Sequence, residues 1–489
     1  MIITQQPLYR MLAADEEIIF VVKDDTNVVN NFKVKFIAEL YVTKLGNAAS
    51  TILSDKVATL KVIPNNAGVG VFDLSRILEA YVSPEYLGGE TKGLFFTTYN
   101  QIAYNDKRPH SIHQIDKFSN SRNSVRNFAI KFSIEYATSQ TGTLITAAGV
   151  TSSSFYVHNA VRQEDDTLAI DSKTGDFGYN YDMNDFVFNS TSGRFLTNCP
   201  KTQYIGSADF HTFAFFQESG SAVMSNSMYG YKVGSSGATI KSPKLINIQF
   251  YYNNATTGGL ISLQNQLATG GSFVNGTSAT EKILFVGIGT GNIAASGSTV
   301  PANWDYYTVI VEDDKTNTIS DTYYFYNQCE GRGYEKIRIA WLNRLGAWDY
   351  FNFTKKNVRK VNSKRETYQQ LKGTWNESTY KKYGYQGGKK TFSTNSKEVL
   401  TLQSDFITEE AAAWLEELFT SPDVFVLQEK TVDILSPDIG GSEANVLNKY
   451  VQPCVVASSS YTKKTTANDK LKQYTLEIEM SHNKRIQKA

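Results

Sequence analysis

The sequence predicts a mainly β fold, with several antiparallel β-sandwich domains and a few short flanking helices in a multidomain chain. Apolar and polar residues alternate with a period of two in runs throughout the chain, as in strands with one buried face. Aromatic residues reach 13% of the composition, and they favour the half-buried surface of a sheet. Turn-forming Gly, Ser, Thr and Asn separate the runs.

Three alternating runs, at 31–42, 127–136 and 473–480, give the clearest strand signals. The charged residues that alternate with the apolar ones are predicted to face solvent. The residues predicted to point into the core are Phe32, Val34, Phe36, Ala38, Leu40, Val42, Phe128, Ile130, Phe132, Ile134, Tyr136, Tyr474, Leu476, Ile478 and Met480.

Two segments have helical spacing. Asp73 to Val82 is predicted as a short helix that Asp73 caps, and Thr408 to Pro422 as a helix that Thr408 caps. Acidic residues in the first turn of the second helix suit the positive end of its dipole. The apolar residues predicted to be buried are Leu74, Ile77, Leu78, Tyr81, Trp414, Leu415, Leu418 and Phe419.

The distribution of strand-like runs and of Gly/Ser/Thr-rich stretches along the chain indicates four regions. Residues 1–136 are predicted as an N-terminal β-sandwich with one helix, and 137–303 as a Gly/Ser/Thr-rich β-domain or insertion with long loops. Residues 304–398 form a long-stranded β region with a basic segment, and 399–489 a C-terminal β-domain with one helix. Short strands within the second region are predicted over Phe210–Phe216, Lys244–Tyr252 and Glu281–Gly289.

The segment GYEKIRIAWLNRLGAWDYFNF, residues 333–353, concentrates aromatic residues. Apolar residues alternate along its first arm, and Asn343–Gly346 is a plausible hairpin turn. Cross-strand aromatic pairs stabilise such hairpins by up to about 1 kcal/mol each. We therefore interpret the segment as part of a sheet, with a surface that faces a partner as the alternative.

No catalytic, cofactor-binding or metal-binding residue is predicted, and the protein is expected not to be an enzyme. His110, His113 and Asp116 could hold a metal only on a helix, whereas the surrounding residues indicate a loop. GIGTGN, residues 287–292, lacks the Gly-Lys-Ser/Thr ending of a phosphate-binding loop and is interpreted as a turn with no helix after it. A pair of catalytic carboxylates among the 48 acidic residues stays open.

The cysteines and the N-terminal sequence indicate a protein made in a reducing compartment. Cys199, Cys329 and Cys454 lie more than 100 residues apart, which suggests reduced thiols and neither a disulfide framework nor a zinc site. The start has neither the basic nor the apolar region of a signal peptide. We expect a chain that is initially soluble in a cytoplasm, with no contact to a membrane.

The net charge of +1 excludes a general polyanion binder, but one segment is strongly basic. Lys355 to Lys390 holds eleven Lys and Arg residues against two Glu, with interleaved Tyr and Trp. The segment suits contact with DNA, or a solvated hairpin, or a hairpin that faces an acidic neighbouring subunit. The residues proposed for DNA or subunit contact are Lys355, Lys356, Arg359, Lys360, Lys364 and Arg365.

Four stretches together resemble virion structural proteins of tailed bacteriophages. They are GVGVFDLSRILEAYV (68–82), YEKIRIAWLNRLGAWDYFNF (334–353), LQSDFITEEAAAWLEELFTSPDVFVL (402–427) and YTKKTTANDKLKQYTLEIEM (461–480). The sequence is most similar in texture to neck and tail ring proteins of phages of Bacteroidota, including the crAss-like group. The C-terminal part resembles the helix-flanked β-sandwich of tail-tube proteins.

The resemblance implies a structural ring in the neck or tail of a virion, around the DNA channel. Its partners would be copies of itself, other neck or tail proteins on the portal or tail side, and transiently the genomic DNA during ejection. The alternative is a β-module protein of the tail tip, or an adhesin, that binds a receptor or a carbohydrate. A cluster of exposed aromatic residues with Asp or Asn on one sheet would favour that alternative.

Overall fold

The computed structural model is built mainly of β-strands in several sheets, which confirms the predicted fold class. The residues that it describes are 1–7, 9, 11–43, 53, 55–84, 124–162, 186–188, 193–217, 245–253, 255–264, 283–295, 300–312, 318–328, 334–427, 451–458 and 472–482. Within those ranges, no helix has the length and the apolar character needed to cross a membrane.

The chain divides into two units. The first comprises 1–328 and 342–349, and the second comprises 329–341 and 350–489. The four regions expected from the sequence stay a prediction.

The N-terminal part of the first unit contains two sheets. One has the strand order β1-β3-β6, and the other has the order β2-β9-β7-β4-β5, with β8 paired to β7. The elements are β1 (Ile2–Gln5), β2 (Met11–Ala13), β3 (Ile19–Lys23), α1 (Asp25–Asn30), β4 (Phe32–Val42), β5 (Lys56–Val62), β6 (Val69–Asp73), α2 (Ser75–Glu79), β7 (Val125–Ala137), β8 (Ile145–Thr151) and β9 (Phe155–His158).

The two N-terminal sheets bury their apolar faces against each other. The ring of Phe20 in β3 lies 6.0 Å from that of Phe132 in β7 and 5.4 Å from that of Phe155 in β9, centre to centre. Gly70 in β6 allows this close approach, because a Cβ atom there would lie 2.6 Å from the Phe36 ring. The first two alternating runs, which form β4 and β7, therefore contribute to a sandwich core, as predicted.

Some details of the predicted pattern are wrong. Phe32 is 49% exposed, because Lys33 has a φ of 56° and the register of β4 against β7 shifts between Phe32 and Lys35. Glu135 is buried and not solvent-facing, and its carboxylate accepts a bond of 2.7 Å from Lys61. Asp73 is the last residue of β6 and is not the helix cap. Its carboxylate accepts the Ser75 N–H at 3.0 Å, and Leu74 occupies the N-cap position.

The remainder of the first unit forms a second pair of sheets. Their strand orders are β10-β12-β15 and β11-β17-β16-β13-β14. Phe213 of the first sheet packs on the second, 4.9 Å from Tyr323 and 5.9 Å from Phe325 between ring centres. The elements are β10 (Val187–Phe188), β11 (Thr202–Ile205), β12 (Thr212–Gln217), β13 (Leu245–Tyr252), β14 (Ala255–Gln264), β15 (Ile283–Gly287), α3 (Thr290–Ala295), β16 (Tyr306–Glu312) and β17 (Tyr323–Asn327).

A single long sheet with one helix dominates the second unit. Its strand order is β19-β18-β22-β23-β24-β21-β20, which makes β20 an edge strand. The elements are β18 (Ile337–Leu342), β19 (Trp348–Phe353), β20 (Val358–Gln370), β21 (Gly388–Gln403), α4 (Glu409–Thr420), β22 (Val424–Leu427), β23 (Val451–Val456) and β24 (Thr475–Met480).

Helix α4 confirms the stronger helix prediction. The Thr408 side chain accepts the Ala411 N–H at 3.3 Å and so caps the first turn. The buried side of the helix packs on the sheet, with the Trp414 ring 5.0 Å from that of Trp341.

The aromatic-rich hairpin is likewise a structural element. Asn343–Gly346 forms the predicted turn, and Gly346 takes a φ of 79° that glycine adopts without strain. Every residue of β18 is buried, including Arg338, which alternates with Ile337 and Ile339. Arg338 donates to Asn352 at 2.8 Å and lies over the Tyr350 ring.

Candidate functional site

The basic segment folds as a long antiparallel hairpin that extends past the body of its sheet. β20 and β21 pair from Val358 opposite Thr401 to Gln370 opposite Gly388. β24 covers β21 only over 399–403. We call residues 360–397 the arm. At about 3.4 Å per residue, its β20 strand extends about 34 Å from Lys360 to Gln370.

The arm buries neither face of its two strands. Val361, Tyr368 and Phe392 are 54%, 43% and 55% exposed. Its cross-strand contacts are local: the Oγ atoms of Ser363 and Ser396 lie 2.7 Å apart, and the rings of Tyr368 and Phe392 lie 6.5 Å apart. The arm is therefore held by its backbone ladder, by contacts between its own side chains and, at its end nearest the sheet, by the ion pair of Lys397 with Glu479.

The tip of the arm is ordered by its own hydrogen bonds. The Trp375 indole N–H donates to the carbonyl of Lys372 at 2.7 Å, and the Tyr380 hydroxyl donates to the same carbonyl at 3.2 Å. The Thr374 Oγ accepts the Lys381 N–H at 2.8 Å. The Trp375 ring meets that of Tyr380 edge-on at 5.6 Å, and its side chain is left 67% exposed.

Two of the six predicted contact residues form ion pairs at the base of the arm. Lys355 lies 2.8 Å from the Asp405 carboxylate, and Arg359 pairs with both Glu335 and Glu398. Although partial burial opposes it, the bond from Lys355 lowers the pKa of Asp405. The bond to Glu335, and then that to Glu398, raises the pKa of Arg359. These two cations stabilise the base of the arm.

The other four residues are available for contact with a partner. Lys356, Lys360, Lys364 and Arg365 form no ion pair within the described part of the chain. Since side chains alternate along a strand, Lys360 and Lys364 lie on one face of β20 and Arg365 on the other. The predicted set is thus divided between two faces and the base.

The list of six omitted the lysines nearest the tip of the arm. The arm as a whole holds nine Lys and Arg residues against two Glu. The charge of these lysines was evident from the sequence of the basic segment, but only the hairpin turn brings the lysines close together in space. The omitted residues are Lys372, Lys381, Lys382, Lys389 and Lys390.

The structure describes only some of the residues considered as chemical groups in the sequence. Among the described residues, no group of three or more His, Cys, Asp or Glu could hold a metal ion. Cys199 and Cys454 are buried, and burial raises the pKa of the Cys454 thiol to about 12. The possible metal ligands His110, His113 and Asp116, and also Cys329, lie outside the described residues.

The GIGTGN turn is a structural feature. Helix α3 begins within it, at Thr290, where the sequence was expected to give no helix. Thr290 donates from its hydroxyl to the Gly206 carbonyl at 2.7 Å, and Asn292 accepts the His211 N–H at 2.8 Å. Both side chains are fully buried, so they anchor this turn against 206–211.

Comparison with known proteins adds no family. No protein-family model matches the sequence, and no curated protein matches it.

Proposed function

We propose that the chain is a non-enzymatic structural component of a phage virion and forms a symmetric ring in the neck or tail around the DNA channel. The observation that carries the proposal of assembly is the arm, which extends from the edge of a sheet with both faces in solvent. The phage setting rests on the sequence resemblance described above. The partners would be copies of the chain and other neck or tail proteins.

A free arm of this kind is poorly stabilised by itself. A two-stranded hairpin without a core face is marginally stable in water, and the outer edge of β20 leaves backbone N–H and C=O groups unpaired. Packing against a neighbouring subunit would bury Val361, Tyr368 and Phe392 and would cover that edge. Closure into a ring gives every copy the same cover.

The charges of the arm support a neighbouring protein as its main contact. Lys360 and Lys364 lie on one face and Arg365 on the opposite face, so that both faces attract anions. Acidic surfaces on two sides of the arm match this arrangement, whereas DNA in a channel would meet one face. Transient contact of the Lys360 and Lys364 face with DNA is the second candidate.

Truncation of the arm tests the proposal. Val361 pairs with Glu398, so replacing residues 362–397 by Asn-Gly joins the two strands through a two-residue hairpin turn. We expect the full chain to form rings of defined stoichiometry in negative-stain images and mass photometry. We expect the truncated chain to fold and to remain a monomer.

Two outcomes would contradict the proposal. A wild-type chain that stays a monodisperse monomer at high concentration would exclude ring formation. Rings that form equally well after truncation would show that the arm is not the assembly element. Lys131→Gln, a change at an exposed lysine of β7, serves as the control that should leave assembly unchanged.

A further inference from the structure

One face of the five-stranded sheet in the first unit carries tyrosines in register across four adjacent strands. Tyr204 lies opposite Tyr326, Tyr326 opposite Tyr306, and Tyr306 opposite Tyr251. Successive ring centres lie 6.1, 5.2 and 4.8 Å apart. We call these four residues and Tyr324, whose ring lies 6.3 Å from that of Tyr306, the tyrosine row.

The same face continues with neutral polar side chains. In the neighbouring register position, Thr202 lies opposite Tyr324, Tyr324 opposite Thr308, and Thr308 opposite Gln249. Side chains of the intervening residues, such as Tyr307 and Phe325, point to the other face and are buried. The outer face at these two register positions thus offers hydroxyls, an amide and aromatic rings, and no charge.

The Tyr306 phenol of the tyrosine row is held in its neutral form. Burial raises the pKa of Tyr306, and the neighbouring Tyr251, Tyr326 and Tyr324 and the Asp305 carboxylate raise it further. The Asp305 carboxylate accepts a hydrogen bond from the Asn253 N–H at 2.7 Å. Within the described residues, no protein group forms a hydrogen bond with any of the five hydroxyls of the row.

The exposed area of the row suits a small ligand. Tyr204, Tyr324 and Tyr326 are 60%, 38% and 37% exposed. With about 200 Å² for each whole side chain, these fractions leave about 270 Å² of accessible phenol surface. A stable protein interface needs about 800 Å² on each partner, and these three most exposed tyrosines supply about a third of that area.

We propose that the tyrosine row binds a neutral oligosaccharide. Tyr251 and Tyr306 stack with an interplanar angle of 10°, so that they cover each other's faces and present ring edges and hydroxyls. Those hydroxyls, with Thr308 and Gln249, can exchange hydrogen bonds with sugar hydroxyls. Tyr204 lies on the edge strand β11, so its outer ring face is free to stack on the C–H face of a sugar ring.

The chemistry of the row distinguishes it from the arm. The two register positions described above carry no cation, so a polyanion would gain no ion pair there, whereas a neutral polyol needs none. The rings are held in place by cross-strand packing, so binding costs little side-chain entropy. The site does not depend on the proposed ring function, since row and arm belong to different units.

Binding of the full-length chain to an array of neutral, sialylated and sulfated oligosaccharides tests the proposal. We expect binding to neutral members, with affinities then measured by titration calorimetry. Tyr204→Ala should weaken the affinity about tenfold through loss of a stacked ring, and Tyr204→Phe should retain most of it. Tyr334→Ala removes a comparably exposed tyrosine outside the row and the arm and should leave the affinity unchanged.

Three results would overturn the proposal. They are binding to no neutral oligosaccharide, binding to sulfated members alone, and equal affinity of the wild type and Tyr204→Ala. If Tyr204→Ala instead changes the oligomeric state while no oligosaccharide binds, the face belongs to a protein contact and the proposal is also wrong. Circular dichroism and thermal unfolding of each variant verify that it is folded.

Discussion

The Nε2 atom of His158, in β9, lies 2.7 Å from the carbonyl oxygen of Leu345, a residue 187 positions later in the chain. Its Nδ1 atom lies 3.3 Å from the Ser124 carbonyl. Complete burial lowers the pKa of His158 to about 4, even though both carbonyls favour the charged ring. The neutral ring therefore donates from Nε2 to Leu345 and ties the turn of the aromatic hairpin to β9.

This histidine predicts a loss of stability in mild acid. The unfolded chain takes up the proton near pH 6.5 and the folded chain only near pH 4. The contribution of neutral His158 to the free energy of unfolding is therefore fully present above pH 6.5 and is lost as the pH falls towards 4. The loss is about 3 kcal/mol in the free energy of unfolding. Denaturant unfolding at pH 7 and pH 4.5 measures it.

Matched variants assign this acid response. His158→Gln should be less stable at pH 7 and should lose less stability on acidification. His482→Gln, at an exposed histidine, should respond to pH as the wild type does. An equal loss in the wild type and in His158→Gln would contradict the assignment.

A side chain at Gly70 is expected to disturb the N-terminal sandwich. A Cβ atom at this position would lie 2.6 Å from the Phe36 ring, so Gly70→Ala should lower the free energy of unfolding by about 1–3 kcal/mol. Thermal unfolding measures the effect. Gly384→Ala is the control, because a Cβ there meets nothing within 4 Å; equal effects at both sites would refute the packing argument.

A buried ion pair in the first unit should be costly to break. Arg162 lies 3.1 Å from Glu16, and the side chains are 5% and 0% exposed. Arg162→Met removes the cation beside a buried carboxylate and should destabilise the fold by about 3 kcal/mol. The double variant Glu16→Met/Arg162→Met should recover much of this loss in denaturant unfolding. No recovery would mean that the pair is not the source of the effect.

The basic residues of the arm should separate into two classes. Replacing Lys355 and Arg359 by Gln removes the ion pairs at the base and should lower the free energy of unfolding by about 1 kcal/mol. Gln at Lys360, Lys364 and Arg365 should change stability by no more than about 0.5 kcal/mol. Thermal unfolding of the two multiple variants tests this separation, and equal losses would contradict it.

The second class also distinguishes the two partners of the arm. If the arm faces acidic subunits, Gln at Lys360, Lys364 and Arg365 should impair ring formation, and salt should weaken wild-type rings. If it faces DNA, rings should form normally while retention of a DNA duplex falls. Mass photometry and a DNA-binding assay, made on the same samples, separate these outcomes.

Local patterns were sufficient to predict the class of fold and several elements. Alternation located the core strands, and Thr408 with the acidic first turn located α4. The pattern failed where a strand is covered on both faces, as in β18, since Arg338 is then buried despite its position. It also failed at Phe32, because a bulge shifts the register.

The candidate site was only partly predictable for a related reason. Charge density along the chain located the arm, but the pairing of β20 with β21 decides which lysines share a face. The tyrosine row was not foreseen, because its members come from four strands spread between residues 202 and 327. Only the register between those strands aligns Tyr204, Tyr326, Tyr306 and Tyr251.

The exposed ladder of the arm has a consequence for the lifetime of unassembled chains. No packed side chains cover either face of the arm, so its backbone hydrogen bonds are exposed to water. They therefore open more readily than those of the rest of the sheet. Its tip offers Lys381 and Lys382 to trypsin-like proteases. If the chain assembles as proposed, solitary copies would be open to cleavage there and assembled copies would be protected, so that cleavage within the arm would report whether a copy has assembled.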